Sequence, residues 1–111
     1  MRASANFKLK EFTAEDSLLI EAGWLTAAQI IQAWNAEHGC EEHPTIAGQL
    51  LAREGLHLNK TLRTPKVAGK SCLYSPKAQA IIVEALGARK KQRELRQRYL
   101  AFLGAHLRRP L

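Results

Sequence analysis

Residues 45–54 read TIAGQLLARE and residues 56–74 read LHLNKTLRTPKVAGKSCLY, and these two stretches decide the fold. In the first, Ile46, Leu50 and Leu51 recur at the spacing of one helical face, and the helix should stop before Gly55. In the second, leucines alternate with polar residues at a period near two, which is typical of a strand. The sequence therefore predicts a helix followed by a β-strand.

The second stretch is expected to close into a β-hairpin. Its first strand covers residues 56–63, and Pro65 and Gly69 mark a turn before the short apolar run of residues 71–74 returns antiparallel. The basic residues of this hairpin are Lys60, Arg63, Lys66 and Lys70. The predicted hairpin tip is thus strongly positive, although lysines on a hairpin are also common as solubilising protection of a sheet edge.

Two capping boxes predict helices earlier in the chain. Thr13 and Thr26 each stand three residues before a side chain that can complete such a box, so helices should begin near residues 14 and 27. The second of these helices has an apolar stripe that includes Trp34, and it should end at Gly39. A large aromatic residue on an apolar stripe is most often buried, so Trp34 is assigned to the core.

The last helix is predicted to start with Ser75 as its N-cap and Pro76 in its first turn. Gly87 weakens its middle, so a bend or an end is expected there. Residues 88–98 then hold six bases and one acid. An apolar stripe resumes at helical spacing with Leu95, Tyr99, Phe102 and Leu103. The stripe predicts a homodimer seam, with packing back onto the body as the alternative.

Charge is divided unevenly along the chain. Residues 1–52 hold three bases and seven acids, a net −4, whereas residues 53–111 hold fourteen bases and three acids, a net +11; together they give +7. No acid occurs between Glu54 and Glu84. A positive region of this kind suggests a surface for a polyanion, and nucleic acid is the leading candidate. The basic part of the last helix can also be an ordinary solvated face.

Length and composition predict one compact domain. A chain of 111 residues with 46% hydrophobic residues is large enough for a real core. We expect a flexible arm over residues 1–12, the domain over residues 13–87 and the basic amphipathic helix over residues 88–111. No apolar stretch approaches the length of about 20 residues that crosses a bilayer, and no secretory signal is visible. A cytoplasmic protein without a membrane span is expected.

Catalytic and metal-binding patterns are weak. His38, Cys40 and His43 lie within six residues, and Cys72 or His57 could supply a fourth ligand, but the spacing matches no standard zinc site. No Gly-rich phosphate loop, His-Glu-x-x-His motif or Gly-x-Ser-x-Gly motif occurs. The sequence therefore predicts no metal, no cofactor and no enzymatic activity.

The order of the predicted elements resembles a winged helix-turn-helix DNA-binding domain of the phage and plasmid type. Residues 26–34 resemble the first helix of the motif, residues 45–54 the recognition helix and residues 56–74 the wing. The resemblance is carried by the pattern Leu-Leu-x-x-x-Gly-Leu from Leu50 to Leu56, followed by a basic hairpin that closes on Tyr74. It implies a mostly helical α+β fold with a small hairpin.

The resemblance also implies a partner, double-stranded DNA, bound in a sequence-specific or backbone-dominated way during transcription or replication control. Thr45 and Gln49 would hydrogen-bond to base edges, and Arg53 would reach a guanine or a phosphate. The hairpin would hold the DNA backbone through Lys60, Arg63, Lys66 and Lys70. Further contacts would come from Arg89, Lys90 and Lys91. The alternative is a small adaptor or inhibitor that uses the same scaffold and its basic last helix to bind an acidic protein.

Overall fold

The computed structural model describes the backbone of residues 13–107 and the side chains of residues 13–105. This part of the chain is mostly helical, with a small antiparallel sheet, so the predicted α+β class is confirmed. Its elements in order are α1 (Ala14–Glu21), β1 (Leu25–Thr26), α2 (Ala27–His38), α3 (Ile46–Arg53), β2 (Leu73–Tyr74) and α4 (Pro76–Leu107). The predicted N-terminal arm, residues 1–12, lies outside the described residues.

The first two helices begin at the capping boxes that the sequence predicts. The Thr13 hydroxyl accepts a hydrogen bond from the Asp16 amide (3.2 Å), and the Asp16 carboxylate accepts one from the Thr13 amide (2.9 Å). Thr26 and Gln29 make the same reciprocal pair at the start of α2. Gly39 ends α2 in the left-handed conformation at φ 62°, which glycine adopts without the penalty that a Cβ brings.

The predicted strand over residues 56–63 is wrong. Residues 57–62 are mostly turns, in which Asn59 O accepts hydrogen bonds from the amides of Leu62 and Arg63. The Asn59 side chain also accepts from the Thr61 amide (2.9 Å), a local turn bond that competes with strand pairing. The alternating leucines do not share one buried face, because Leu62 enters the core whereas Leu58 is 80% exposed.

Part of the predicted hairpin survives as a short antiparallel return. Arg63 forms an isolated bridge with Tyr74, and Val67 forms another with Lys70. The Thr64 amide donates to Leu73 O (2.9 Å), and the Leu73 amide donates back to the Thr64 hydroxyl (2.8 Å). The partner of β2 in the regular sheet is β1, with Leu25 opposite Tyr74. The chain around Arg63 therefore lies along one edge of β2, and β1 lies along the other.

A single apolar core joins α2, α3, β2 and α4. Its buried members are Ile30, Ile31, Trp34, Ile46, Ala47, Leu50, Leu51, Leu62, Tyr74, Ala78, Ile82 and Leu86. The assignment of Trp34 to the core is confirmed. Side chains at helical spacing supply the inner faces of α3 and α4, so burial of these residues removes both apolar stripes from water.

Helix α4 is continuous through Gly87, so the helix does not end at this residue. The helix has 32 residues, or a length of about 48 Å. A Cβ added at Gly87 would lie 3.9 Å from Trp34 Cη2, an ordinary contact distance. The first half of α4 packs against the core, whereas residues 91–102 are exposed on every side of the helix.

None of the helices in the described part of the chain is long and apolar enough to span a membrane.

Because α4 continues through Gly87 with room for a methyl group, Gly87→Ala should raise the free energy of unfolding by about 1 kcal/mol. Gly39→Ala is the matched control: no atom lies within 4 Å of its added Cβ, but φ is positive, so stability should fall by about 1–2 kcal/mol. Chemical denaturation of both variants measures the two changes. A loss of stability in Gly87→Ala would show that α4 requires glycine at this position.

Candidate nucleic-acid interface

The outer face of α3 forms one wall of a groove. The opposite wall is the antiparallel return over residues 63–72, called the return segment below. The burial of Ile46, Ala47, Leu50 and Leu51 turns the other side of the helix outward, as its spacing predicts. The groove has a volume of about 640 Å³. Its lining comprises Thr26, Ala27, Ala28, Pro44, Thr45, Gly48, Gln49, Ala52, Arg63, Lys66, Lys70, Ser71, Cys72 and Tyr74. This lining brings together five of the predicted DNA contacts and contains no acid.

Small residues let the two walls approach each other. A Cβ added at Gly48 would lie 3.4 Å from the Tyr74 hydroxyl and 3.9 Å from Arg63 Nη1. Ala52, one turn further along α3, adds only a methyl group to the lining. No large apolar side chain of α3 therefore obstructs the groove, and the Arg63 guanidinium lies close to the helix surface.

Arg63 forms part of the groove wall and is bridged through its backbone to Tyr74 of β2. Its Nε is buried without a hydrogen-bond partner among the described residues, a costly state for a charged group. Burial raises the pKa of the neighbouring Tyr74 phenol, and the positive charge of Arg63 opposes that rise. Tyr74 is therefore neutral near pH 7, and the charge of Arg63 is not cancelled by it. The groove retains a fixed positive charge at this point.

Lys70 is tied to α1 by an ion pair with Asp16. The Lys70 ammonium lies 2.6 Å from Asp16 Oδ2, and the Asp16 side chain is 5% exposed. Burial raises the pKa of Asp16, but hydrogen bonds from Lys70 and Thr13 and the Lys70 charge outweigh it, so the pKa lies below its ordinary value. Lys66, in contrast, is exposed and has no ion-pair partner in the described part of the chain. The two lysines of the groove therefore differ: one holds the fold, and the other is available to an anion.

Not all of the predicted DNA contacts share this groove. Arg53 and Arg89 line a second groove, between α3 and α4, which also contains Glu54 and Glu84. Lys60 lies in the exposed turn before Leu62 and lines neither groove. The structure thus separates Arg53 from the face that carries Gln49, although both residues belong to the outward side of α3.

Two of the three predicted contacts on α4 are engaged in ion pairs. Glu42, whose side chain is 8% exposed, pairs with both Arg89 and Arg93. The Asn35 side chain holds the backbone of Glu42 from the other side, through its amide nitrogen (3.0 Å) and its carbonyl oxygen (2.9 Å). Lys90 pairs with Glu94 one turn further along the helix, whereas Lys91 makes no ion pair within the described residues. Sequence reasoning missed Glu42, because nothing in local spacing connects it with arginines 47 and 51 residues away.

The histidines and cysteines of the weak zinc pattern have other contacts. His43 Nδ1 accepts a hydrogen bond from the Thr45 amide (3.2 Å) and lies 3.0 Å from the Thr45 hydroxyl. The His38 ring lies 3.7 Å from the Trp34 ring between centroids. Cys40 and Cys72 are free thiols. Among the described residues, no group of three or more histidines, cysteines or acids could hold a metal ion.

Comparisons with protein families, with curated proteins and with solved structures find no match for this chain. We therefore infer function from the geometry and charge of the grooves.

The ion pair between Asp16 and Lys70 gives a pH-dependent contribution to stability. Since the pKa of Asp16 is lowered by folding, the contribution is present above about pH 4, the pKa of an unfolded aspartate, and is lost as pH falls through the lower folded value. Asp16→Asn should lower the free energy of unfolding by about 1 kcal/mol at pH 7, and by progressively less as the pH falls from about 4 through the lowered pKa of the folded state.

Denaturation across this pH range measures that difference. Glu15→Gln is the matched control, because Glu15 is an exposed carboxylate in the same helical turn with no ion-pair partner among the described residues. Its effect should stay small at every pH. An Asp16→Asn effect that is constant with pH would contradict the structural role of this ion pair.

Proposed function

We propose that this chain is a winged-helix protein that binds double-stranded DNA with the groove between α3 and the return segment. The order of elements supports the winged-helix interpretation: β1 lies between α1 and α2, and α3 precedes the antiparallel return. The arrangement around β2 also fits, since β1 pairs on one side and the chain near Arg63 bridges on the other. Lys66 and Lys70, at the turn of the return segment, line the same groove as Gln49 of α3, as the wing does beside the recognition helix of a winged-helix domain.

The observation that carries the proposal is the lining of the groove. One wall is a helix face with small and polar residues, and the other supplies Arg63 and Lys66 together with Lys70, which Asp16 neutralises; the lining itself contains no acid. Phosphate oxygens require cations and donors within reach, and polar side chains on a helix in the major groove can hydrogen-bond to base edges. The second groove lacks this character, because Glu54 and Glu84 lie among its lining residues.

Binding through this groove is dominated by the DNA backbone. Within α3 and its N-cap residue, only Thr45 and Gln49 offer polar side chains to the groove, and the Thr45 hydroxyl already lies beside His43. Gln49 is therefore the residue of α3 that is best placed to contact a base edge, with adenine as the base that a glutamine reads in bidentate fashion. The proposed role is control of transcription or replication in the cytoplasm of a bacterial, phage or plasmid system.

Salt dependence tests this proposal quantitatively. Arg63 and Lys66, the cations of the groove without an acidic partner among the described residues, predict a slope of about −2 for log affinity against log salt concentration, because each neutralised phosphate releases about 0.9 counterion. Lys66→Ala should weaken duplex binding about five- to tenfold at 0.1 M salt and reduce the slope by about 1. Fluorescence anisotropy with a labelled duplex at several salt concentrations gives both quantities.

Lys77→Ala is the matched control for this experiment. Lys77 is an exposed lysine in the first turn of α4, it lines none of the grooves described above, and it makes no ion pair within the described residues. Its loss changes the net charge by the same amount as the loss of Lys66. Equal effects of the two substitutions, or a slope near zero for the unaltered protein, would refute the proposed binding face.

A further inference from the structure

The exposed half of α4 carries an apolar stripe that the core does not use. Leu95 is 52% exposed and Tyr99 is 62% exposed, and Phe102, which continues the stripe, is 65% exposed. The spacing of these residues, four and then three, places them on one side of the helix. A contiguous exposed stripe of this kind is characteristic of an interaction site.

The stripe continues into the second groove. Ile81, Ala85, Ala88 and Gln92 line that groove from the side of α4. Their spacing leads directly to Leu95, with alternating steps of four and three residues, as in the seam of a coiled coil. Leu50 and Leu56 form the opposite apolar wall of the groove. The groove and the stripe therefore make one surface on α4 that extends over residues 81–102, a length of about 32 Å.

The flanks of this surface are basic on the distal half of α4, whereas Glu54 and Glu84 lie at its proximal end, in the second groove. In the register set by Leu95 and Tyr99, the positions beside the seam on the distal half of α4 are Arg89, Lys91, Arg96 and Arg98. Glu42 neutralises Arg89, but the other three make no ion pair with any residue the structure describes. Arg89, Gln92, Arg93 and Arg96 also line a shallow basic depression beside the seam.

These flanks decide between the possible occupants. A second copy of α4, whether parallel or antiparallel, would place bases opposite bases along the seam, and like charges at these positions oppose pairing. DNA would satisfy the bases but would leave Leu95 and Tyr99 uncovered. A helix with an apolar stripe and acidic flanks covers both features at once.

We propose that the side of α4 over residues 81–102, together with the second groove, is a docking surface for an acidic amphipathic helix of a partner protein. The apolar residues of the partner lie along the seam, and its carboxylates face Lys91, Arg96 and Arg98. This surface is separate from the face proposed for DNA, so it adds a protein partner to a DNA-binding domain.

A synthetic helical peptide is the probe for this proposal. It carries leucines at the seam positions of three heptads and glutamates on both flanks, so that its own charge prevents self-association. Titrated into the full chain, this peptide should bind at least tenfold more tightly than the same peptide with lysines in place of the glutamates. Equal binding of the two peptides, or no binding of either, would overturn the proposal.

Substitutions on α4 locate the site. The double variant Leu95→Ser and Tyr99→Ser should weaken peptide binding at least tenfold and leave duplex binding unchanged. Leu58→Ser is the matched control, because Leu58 is an exposed apolar residue outside α4 and should have no effect on the peptide. Circular dichroism confirms that each variant keeps its helical content.

Two further outcomes would replace the partner that we propose. Sedimentation of the full chain as a dimer that the double variant abolishes would assign the stripe to a second copy of the chain. A loss of duplex binding in the double variant as large as that in Lys66→Ala would assign it to DNA. The expected result is a monomer whose duplex affinity the double variant does not change.

Discussion

Leu50 and Leu51 on α3 are buried together with Ile82 and Leu86 on α4, and the position of both candidate surfaces depends on this packing. Removal of a buried leucine commonly costs about 2–5 kcal/mol, so the contact fixes the rotation of α3 firmly. With that rotation fixed, one side of the helix faces the return segment and forms the acid-free groove. The C-terminal end of α3 contributes to the second groove, beside α4. One buried interface thus orients two surfaces of different chemistry.

The net charge of the chain overstates the positive charge available to a partner. Lys70, Arg89 and Arg93 hold the fold together through Asp16 and Glu42, and Lys90 is neutralised within α4. Two acids of the first half of the chain, Asp16 and Glu42, are therefore paired with bases of the second half. Among the described residues, the cations without an ion pair include two groups: Arg63 and Lys66 in the acid-free groove, and Lys91, Arg96 and Arg98 on the exposed half of α4. These two groups lie beside different neighbours, polar in one case and apolar in the other.

Local signals in the sequence predict the helices well, because capping boxes and apolar spacing act over a few residues. The starts of α1 and α2, the burial of Trp34 and the outward side of α3 all follow from such signals. The prediction of a strand over residues 56–63 is wrong. The alternating leucines have the spacing of a strand, but hydrogen bonds to the side chain and carbonyl oxygen of Asn59 form turns there instead. Helix α4 continues through Gly87, although glycine favours an end there, and the Glu42 ion pairs join residues far apart in sequence. Neither feature has a local signal.

The proposed binding face for duplex DNA is the surface around the groove between α3 and the return segment. An NMR titration of the isotopically labelled protein with a short duplex tests this binding face most directly. Each non-proline residue of the groove has its own backbone amide signal, so its chemical shift is followed separately. The account predicts the largest shift changes over residues 45–52 and 63–72, with small changes over residues 91–102. Changes confined to residues 91–102, or spread evenly over the chain, would contradict it.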